Sequence, residues 1–337
     1  MEDKINIAVI GVGYWGPNLV RNFSKLDNVK VYSVCDVNED RLNLVKKDYP
    51  GVKTTTDFSE VLNDPEVSAV ALALPVRLHY DFAKRALLAK KHVLIEKPMT
   101  SSAIEAGDLV KIAREQSRIL MVDHTFAYYG PVKRIKEIID SGELGKIYYF
   151  DSQRINLGLI RTDVNVIWDL ASHDISIMDL LIKDNPVSVS ATGTSHIGSK
   201  KEELAHLMVN YDNGLVAHVH VSWLSPVKLR QIFIGGEEKM VYFDDIHPSE
   251  KIKIYDKNVK MDPSKETPFD PIYRSGEIRI PTYNMKEALL AECEHFVNCI
   301  INNEKPLTDG ENGERVVKIL EACDRSLKEK GKEISLT

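Results

Sequence analysis

Two short segments of the sequence hold residue types that can move protons. Lys97 stands within Glu96-Lys97-Pro98, directly after an apolar run that predicts a strand from His92 to Ile95. Asp169 and His173 lie four residues apart in a segment that predicts a helix, so both side chains would share one helical face. An imidazole titrates near neutral pH and can act as a general base, while a lysine ammonium can stabilise negative charge on an oxygen.

Each segment also has a plainer interpretation. A Glu-Lys-Pro tripeptide alone is most often a surface turn, in which Pro98 fixes the backbone and the bond before it can be cis. A histidine near a helix start gains nothing from the helix dipole, a placement that keeps the imidazole neutral, as a general base requires. Taken alone, the second segment favours a surface histidine with Asp169 as the N-cap.

A glycine-rich motif near the amino terminus predicts a turn that holds a dinucleotide. Gly11-Val12-Gly13-Tyr14-Trp15-Gly16 follows the predicted strand from Ile5 to Ile10 and opens a helix at Pro17. Gly11 would form the tight turn, Gly13 would let the backbone approach a pyrophosphate, and Gly16 would let helix pack on strand. The pyrophosphate would lie on the free N–H groups of the helix start, with Tyr14 and Trp15 as further cofactor contacts.

An acidic residue at the end of the second predicted strand favours NAD over NADP. Asp36 follows the run from Val29 to Cys35 and stands 20 residues after Gly16, where a carboxylate accepts hydrogen bonds from the adenosine ribose. The same carboxylate would repel a 2′-phosphate. Arg41 lies nearby and keeps NADP open as an alternative. The plainer interpretation is a glycine turn and a solvated aspartate.

The elements that would position these residues change in character along the chain. Strand-like and helix-like segments alternate up to about His124, which predicts a parallel sheet with helices on both faces. Beyond it, strand-like segments predominate, and Asp212-Asn213-Gly214 predicts a hairpin, so we expect an antiparallel sheet. One helix, from Trp168 to Ile182, interrupts that series. Two helices close the chain, and residues 256–284 are expected to form a loop with short extended pieces.

Composition excludes several classes of protein. The chain has 337 residues, of which 43% are hydrophobic and 28% charged, enough apolar material for a sizeable core and for two domains. The net charge is −6 and there is no long basic run, so neither nucleic acid nor an anionic membrane is an expected partner. The longest apolar stretch, Val67 to Val76, is too short to span a bilayer.

Cysteine and histidine placement predicts a cytoplasmic protein without a metal site. The four cysteines are scattered without a C-x-x-C pair, which fits a reducing compartment, and the amino-terminal segment is unlike a signal peptide. His218 and His220 alternate along a predicted strand and share one face. That pair favours a sheet face buried between subunits over a zinc site, because no carboxylate or cysteine is evidently paired with it.

In the order of its motifs, the chain resembles the glucose–fructose oxidoreductase/inositol dehydrogenase family, Gfo/Idh/MocA. The matching segments, spread over almost the whole chain, are GVGYWG, Asp36, LPVRLHYDFAKRAL, HVLIEKPM, the Asp169–His173 pair and EHFVNCIINNEKPLTDGENGERVVKILEACDRS. The resemblance implies an α/β plus α+β architecture. A Rossmann domain of doubly wound parallel sheet would occupy residues 1–124. An α+β domain with an open, mostly antiparallel sheet would occupy residues 125–337, with the last helices packing back on the first domain.

The resemblance also implies roles for individual residues. Lys97 matches the catalytic lysine, His173 the usual acid/base, and Asp169 the acidic partner that contacts or orients the substrate. Pro75 and His79 would line the nicotinamide end of the cofactor site, and Glu96 would position Lys97 or the nicotinamide side. Many members have a Gly-Gly pair before the acidic residue, where this chain has Ile167-Trp168, and that departure suggests a different pocket wall.

The expected substrate is a sugar or a nucleotide sugar. Arg154, Asn156 and Arg161 cluster before the helix of His173, where arginine forks suit carboxylate or phosphate, and Tyr128 could stack on a sugar or uracil ring. A solvated loop is an equally good interpretation. Family members that contain the YWGPN and WDLxxHD motifs resemble enzymes of amino- and nucleotide-sugar metabolism. This resemblance favours oxidation of a UDP-N-acetylglucosamine-type sugar at C3.

Three other functions stay open at this point. One is an inositol or free-hexose dehydrogenase, and another is a redox-assisted lyase or glycosidase that reduces and regenerates NAD within one turnover. The third is a non-catalytic NAD-binding sensor, which the presence of Lys97, Asp169 and His173 disfavours. The family resemblance further implies a homodimer or homotetramer that associates through the open sheet face.

Overall fold

A parallel sheet forms around the first strand of the chain. In the computed structural model, which describes residues 4–198, 200–261 and 271–336, the sheet has the order β3-β2-β1-β4-β5-β6. Its strands and the helices between them are β1 (Ile5–Ile10), α1 (Gly16–Phe23), β2 (Val29–Cys35), α2 (Glu39–Asp48), β3 (Lys53–Thr55), α3 (Phe58–Asn63), β4 (Ala69–Leu72), α4 (Val76–Leu88), β5 (His92–Glu96), α5 (Ala103–Glu115) and β6 (Leu120–Asp123). The predicted doubly wound sheet is therefore confirmed.

The strand order explains where a ligand would bind. Numbering runs outward in both directions from the pair β1 and β4, so the direction of winding reverses between them. In such sheets, ligands bind outside the carboxyl ends of the strands at this reversal. The four residues of β4 are fully buried, which accounts for the continuous apolar run in the sequence.

A second, larger sheet follows in the chain. Its order is β14-β13-β12-β11-β7-β10-β9-β8-β15, and its neighbouring strands are antiparallel except for the parallel pair β7 and β10. The other α-helices and strands of the described residues are α6 (Gly130–Asp140), β7 (Ile147–Leu157), α7 (Ser172–Leu181), β8 (Pro186–Thr194), β9 (Leu204–Tyr211), β10 (Val216–Ser222), β11 (Leu224–Gly236), β12 (Met240–Asp244), β13 (Ile252–Met261), β14 (Pro271–Arg279), α8 (Ala288–Asn302), α9 (Gly310–Lys328) and β15 (Ile334–Ser335). The expected mostly antiparallel sheet is confirmed.

The two faces of this second sheet differ in exposure. Residues that alternate along the central strands, such as Phe150 and Val219, are fully buried beneath α7 and its neighbours. Their sequence neighbours point the other way, and among them Tyr149 and Met208 are each 39% exposed and Phe233 is 37% exposed. One face of the sheet is thus covered by helices and the other is open.

The structure refines two expectations about local structure. Residues 256–284, expected to form a loop with short extended pieces, contain the end of β13 and all of β14, which pair for example through Asn258 and Arg274. Residues 262–270 of that stretch lie outside the described part of the chain. β14 is exposed along nearly its whole length, so no alternation of buried and exposed positions marked it in the sequence. The helix expected to start at Trp168 begins with a π-helical turn over Ile167–Ala171, and regular α-helix follows from Ser172.

The chain divides into two compact units, and each contains pieces that are distant in sequence. The first unit comprises residues 1–129 and 286–318, and the second comprises residues 130–285 and 319–337. Within the first unit α8 packs against α1, where the rings of Phe296 and Phe23 lie 6.4 Å apart. The predicted boundary at residue 124 stays a prediction. No helix of the described residues is both long and apolar enough to cross a membrane.

Candidate active site

The glycine-rich loop after β1 has a backbone that only glycine can provide at two positions. Gly11 has a φ of +87°, and a Cβ there would lie 2.5 Å from the carbonyl oxygen of Ala73. A Cβ on Gly16 would lie 2.0 Å from the carbonyl oxygen of Gly11, closer than any real contact. At Gly13 the nearest atom to an added Cβ is a guanidinium nitrogen of Arg41, 3.5 Å away. The loop therefore folds tightly against the sheet and leaves room above Gly13.

The start of α1 is left open to an anion. No side chain caps the helix, its first turn contains no acidic residue, and Pro17 occupies an early position where a missing N–H costs nothing. Tyr14 is 92% exposed. Trp15 is anchored, because its indole N–H donates to Asp123 over 3.2 Å. These features fit the pyrophosphate of a dinucleotide, which helix N–H groups bind together with the helix dipole.

Asp36 is fastened to the glycine-rich loop. Its Oδ2 accepts a hydrogen bond from the N–H of Val12 over 2.7 Å, and its Oδ1 accepts one from the N–H of Asn38 over 2.8 Å. A carboxylate has about four acceptor positions, so it can still accept the two ribose hydroxyls of NAD. Arg41 lies 3.7 Å away, with half of its side chain exposed. The site fits NAD and retains a cation beside the ribose position.

Lys97 follows β5 at the same end of the sheet as the glycine-rich loop and Asp36, because all strands of this sheet are parallel. Its side chain is half-buried, and its N–H donates to the Glu96 carboxyl over 3.2 Å. The Lys97–Pro98 bond is cis.

His79 is placed differently from the expectation that it lines the cofactor site. The ring is fully buried, with Nδ1 2.9 Å from the carbonyl oxygen of Pro98 and Nε2 2.7 Å from that of Leu74. Burial lowers the pKa of the imidazole. With both nitrogens against backbone oxygens, His79 joins two loops at the end of the sheet and presents no polar atom to a ligand. Pro75 is exposed at the N-cap of α4.

In the second unit, Asp169 lies in the π-helical turn and His173 in the first turn of α7. Both side chains are half-buried. Asp169 accepts a hydrogen bond over 3.1 Å from the indole N–H of Trp223, a residue that is 1% exposed. Sequence reasoning missed Trp223, since it lies 54 residues away and nothing local to either segment links the two.

Ile167 and Trp168 do not present a pocket wall as expected. They are 0% and 7% exposed, and the Trp168 indole donates to Asp324 over 2.8 Å. Asn165 accepts the N–H of Trp168 and donates to the same Asp324 carboxyl over 3.0 Å. This segment anchors the start of the helix within the core of the unit, so it fixes the backbone that carries Asp169.

Arg154 and Tyr128 are buried in ways that do not support substrate contact. The Arg154 guanidinium donates to both oxygens of Asp174 over 2.7 and 3.1 Å, and the two side chains are 4% and 1% exposed. An arginine so paired has no fork to offer to a phosphate. Tyr128 is 2% exposed in the first unit, with its hydroxyl 3.0 Å from that of Thr308, and burial raises the pKa of the phenol.

Two further predicted substrate residues lie near the protein surface of the second unit. Asn156 is half-buried near the end of β7. Arg161 is exposed and donates to both oxygens of Asp163 over 3.0 and 2.9 Å. Their part in binding stays a prediction. No group of three or more His, Cys, Asp or Glu side chains in the described ranges is arranged to hold a metal ion.

Comparison with known sequences identifies both halves of the chain. A family model described as "Oxidoreductase family, NAD-binding Rossmann fold" matches residues 5–124, and one described as "GFO/IDH/MocA C-terminal domain" matches residues 132–242. The UDP-N-acetylglucosamine 3-dehydrogenase of Acidithiobacillus ferrooxidans is 26% identical, covering 92% of this chain and 93% of the relative. The myo-inositol 2-dehydrogenase of Thermotoga maritima is 23% identical, covering 97% of each.

Solved structures show the same fold over the whole chain. A dehydrogenase from Bordetella pertussis, solved in complex with NADH and UDP-GlcNAcA, superposes with a TM-score of 0.82 at 20% identity. The match covers 100% of this chain and 99% of the other. At that identity the likeness establishes the fold, and the site geometry above carries the chemical argument.

Proposed function

The chain belongs to the Gfo/Idh/MocA oxidoreductase family, and from this premise we propose that it oxidises the C3 hydroxyl of a UDP-N-acetylglucosamine-type sugar. It is an NAD-binding oxidoreductase that acts on CH–OH groups of sugar-type substrates. One observation carries the chemical proposal: the glycine-rich loop, Asp36 and Lys97 follow different strands at the same end of one parallel sheet. A lysine ammonium is thereby placed at the end of the sheet that binds the cofactor.

The protein residues have separate parts in this oxidation. NAD, when bound, accepts the hydride from the substrate carbon. His173 takes the hydroxyl proton, a part to which an imidazole is suited as a general base. Lys97 donates to the substrate oxygen and stabilises its developing negative charge. Asp169 orients the substrate or His173, and Trp223 holds Asp169 in place.

The choice of a nucleotide sugar rests on resemblance over nearly the full length of the chain. The relative that acts on UDP-N-acetylglucosamine shares 26% identity over 316 residues. The inositol dehydrogenase shares 23% over 336 residues, and this similarity makes an inositol the second candidate substrate. The motif Tyr14-Trp15-Gly16-Pro17-Asn18 supports the nucleotide sugar as the first candidate.

A substrate screen tests this proposal directly. The full-length protein with NAD is mixed separately with UDP-N-acetylglucosamine, its uronic acid, myo-inositol and glucose, and NADH absorbance is followed. We expect turnover with a nucleotide sugar and NADH released in stoichiometric amount. Turnover with inositol or glucose alone would refute the substrate assignment. Product formation without net NADH would instead indicate the lyase or glycosidase chemistry, in which NAD is regenerated in place.

A lysine variant tests the assignment of the reacting group. Lys97→Ala should retain NAD binding but lose at least about 100-fold in kcat, because it removes the donor to the developing alkoxide. Lys111→Ala is a matched control, since that side chain is 72% exposed and pairs only weakly, at 3.9 Å, with Glu115. Full turnover by Lys97→Ala with normal NAD affinity would contradict the mechanism.

We further propose that two copies of the chain associate through the open face of the second sheet. Tyr149, Met208 and Phe233 are partly exposed there, and His206 and His220 stack on the same face with ring centroids 4.2 Å apart. Light scattering should give a dimer or tetramer that Met208→Asp weakens. Met261→Asp, a change of a methionine of similar exposure at the end of β13, should leave the assembly intact. A monomeric wild-type protein would contradict this.

A further inference from the structure

Three carboxyl groups meet inside the first unit at the carboxyl ends of β5 and β6. Glu96 and Asp123 are register partners on these parallel strands, so their side chains lie on the same face of the sheet. Glu292 reaches them from α8. Asp123 is 2% exposed and Glu292 is 0% exposed. We refer to Glu96, Asp123 and Glu292 as the carboxyl cluster.

Asp123 is the member of the carboxyl cluster that accepts hydrogen bonds from neighbouring side chains. Its Oδ2 accepts from the indole N–H of Trp15 over 3.2 Å, and its Oδ1 accepts from the hydroxyl of Thr125 over 2.6 Å. Each carboxylate oxygen can accept about two hydrogen bonds, so two acceptor positions remain. The two other acids of the cluster are in position to donate to them.

Glu292 and Glu96 have the environment of neutral acids. Both oxygens of Glu292 and one of Glu96 are shielded from water, and the nearby Thr125 hydroxyl donates to Asp123. Burial first, and then the adjacent Asp123, raise the pKa of Glu96 and of Glu292 well above the usual range. As neutral acids, each can donate its O–H to Asp123, so that one carboxylate accepts from four groups.

We propose that the carboxyl cluster is a positioning device for the cofactor site, in which the buried Glu292 holds Asp123 so that Asp123 fixes Trp15. Through Glu96 the same cluster supports the backbone of Lys97, whose N–H donates to the Glu96 carboxyl. Glu292 thus ties α8 to the glycine-rich loop. This inference rests on the proposed cofactor site but does not depend on which substrate is oxidised.

The cluster makes cofactor binding sensitive to alkaline pH. When Glu292 loses its proton, a second negative charge arises beside Asp123 in a site shielded from water. The titratable groups that face Glu292 within the unit are Asp123, Glu96, Tyr128 and Cys293, all of them acids. Thr125 and Trp15 are uncharged. The Lys97 ammonium acts on Glu96 rather than on Glu292, so the carboxylates of Glu292 and Asp123 repel and the hold on Trp15 weakens.

Two variants of Glu292 test this inference through NAD binding alone. Glu292→Gln keeps a donor for Asp123 but has no titrating proton, and Glu292→Leu fills similar volume without a donor. The dissociation constant of NADH is measured by fluorescence on the full chain from about pH 6 to pH 10. At neutral pH we expect Glu292→Gln to bind like wild type and Glu292→Leu about 10-fold more weakly. Wild-type affinity should fall at alkaline pH, and that of Glu292→Gln should not.

Several results would overturn the inference. One is equal affinity of Glu292→Leu and wild type, and another is a wild-type profile that stays flat or is shared by Glu292→Gln. Trp15→Phe distinguishes positioning of Trp15 from a general loss of structure. In a protein that already carries Trp15→Phe, Glu292→Leu should weaken NADH binding less than it does in wild type, because the indole donor to Asp123 is absent. Glu115→Gln, an exposed change, is the matched control. Failure to oxidise any nucleotide sugar would leave these binding results unchanged, so the two proposals can fail separately.

Discussion

Replacing Arg154 with methionine distinguishes a structural ion pair from a substrate ligand. Its guanidinium donates twice to Asp174, and both side chains are almost fully buried. Removing one partner of such a pair leaves a buried charge and costs about 3–5 kcal/mol. Ser152 still donates to Asp174 over 2.7 Å, so we expect the lower end, about 3 kcal/mol. Substrate KM should change little for protein that remains folded.

A second variant completes a double-mutant cycle. Arg154→Met combined with Asp174→Leu removes both charges and keeps comparable side-chain volumes. The double variant should therefore lose less stability than Arg154→Met alone, with a free energy of unfolding within about 2 kcal/mol of wild type. The measurement is the free energy of unfolding in urea, followed by circular dichroism. Arg161→Met is the stability control, because Arg161 and its partner Asp163 are about half exposed. This variant should lose less than about 1 kcal/mol in the free energy of unfolding.

Two results would refute this reasoning. If Arg154→Met unfolds at the same urea concentration as wild type, the buried pair contributes no net stability. If the variant is equally stable but needs much more nucleotide sugar to reach half of its maximal rate, Arg154 binds substrate, as its sequence position first suggested. Both the free energy of unfolding and KM are measured in the same buffer, so that a difference between them reflects the substitution.

Further predictions concern the cofactor site and the response to acid. Gly16→Ala should weaken NADH binding at least about 10-fold and lower Tm, because its Cβ would lie 2.0 Å from a loop carbonyl; Gly51→Ala, with open space around it, should change neither. Asp36→Ser should raise the ratio of kcat/KM for NADP to kcat/KM for NAD by about 10-fold or more, because Arg41 no longer pairs with the carboxylate and can bind the 2′-phosphate. An unchanged ratio would refute this expectation. Burial lowers the pKa of His92 to about 4, so the unfolded chain binds the proton first and stability falls as pH drops from about 6.5 toward 4; His92→Gln should flatten that fall in Tm, and an equal slope contradicts it.

Predictions from the sequence succeeded where the cause is local in the chain. The motif predicts a tight turn at Gly11 and close packing at Gly16, and the structure shows a φ of +87° at Gly11 and no space for a Cβ at Gly16. The doubly wound sheet followed from the alternation of apolar runs with amphipathic segments. The length and pairing of β13 and β14 were not predicted, because an exposed strand such as β14 carries no alternation that distinguishes it from a loop.

Predictions for side chains were weaker where a distant residue decides their environment. Arg154 and Tyr128 have residue types that suit a ligand, but Asp174 and Thr308 already occupy their polar groups. The separation between Tyr128 and Thr308 is 180 residues, so no pattern within either segment reveals the contact. The roles of Lys97, Asp169 and His173 stay predictions for the kinetic tests above.

The amino-acid sequence by itself determined the family, the parallel sheet and the location of the dinucleotide turn. Backbone conformation and hydrophobic periodicity depend on residues that are neighbours in the sequence, so these features can be predicted without knowledge of the tertiary structure. Only the tertiary structure decided that Trp223 supports Asp169 and that Glu292 meets Asp123. Those contacts join segments far apart in the chain, and the protonation of a buried carboxyl depends on which charges folding places beside it.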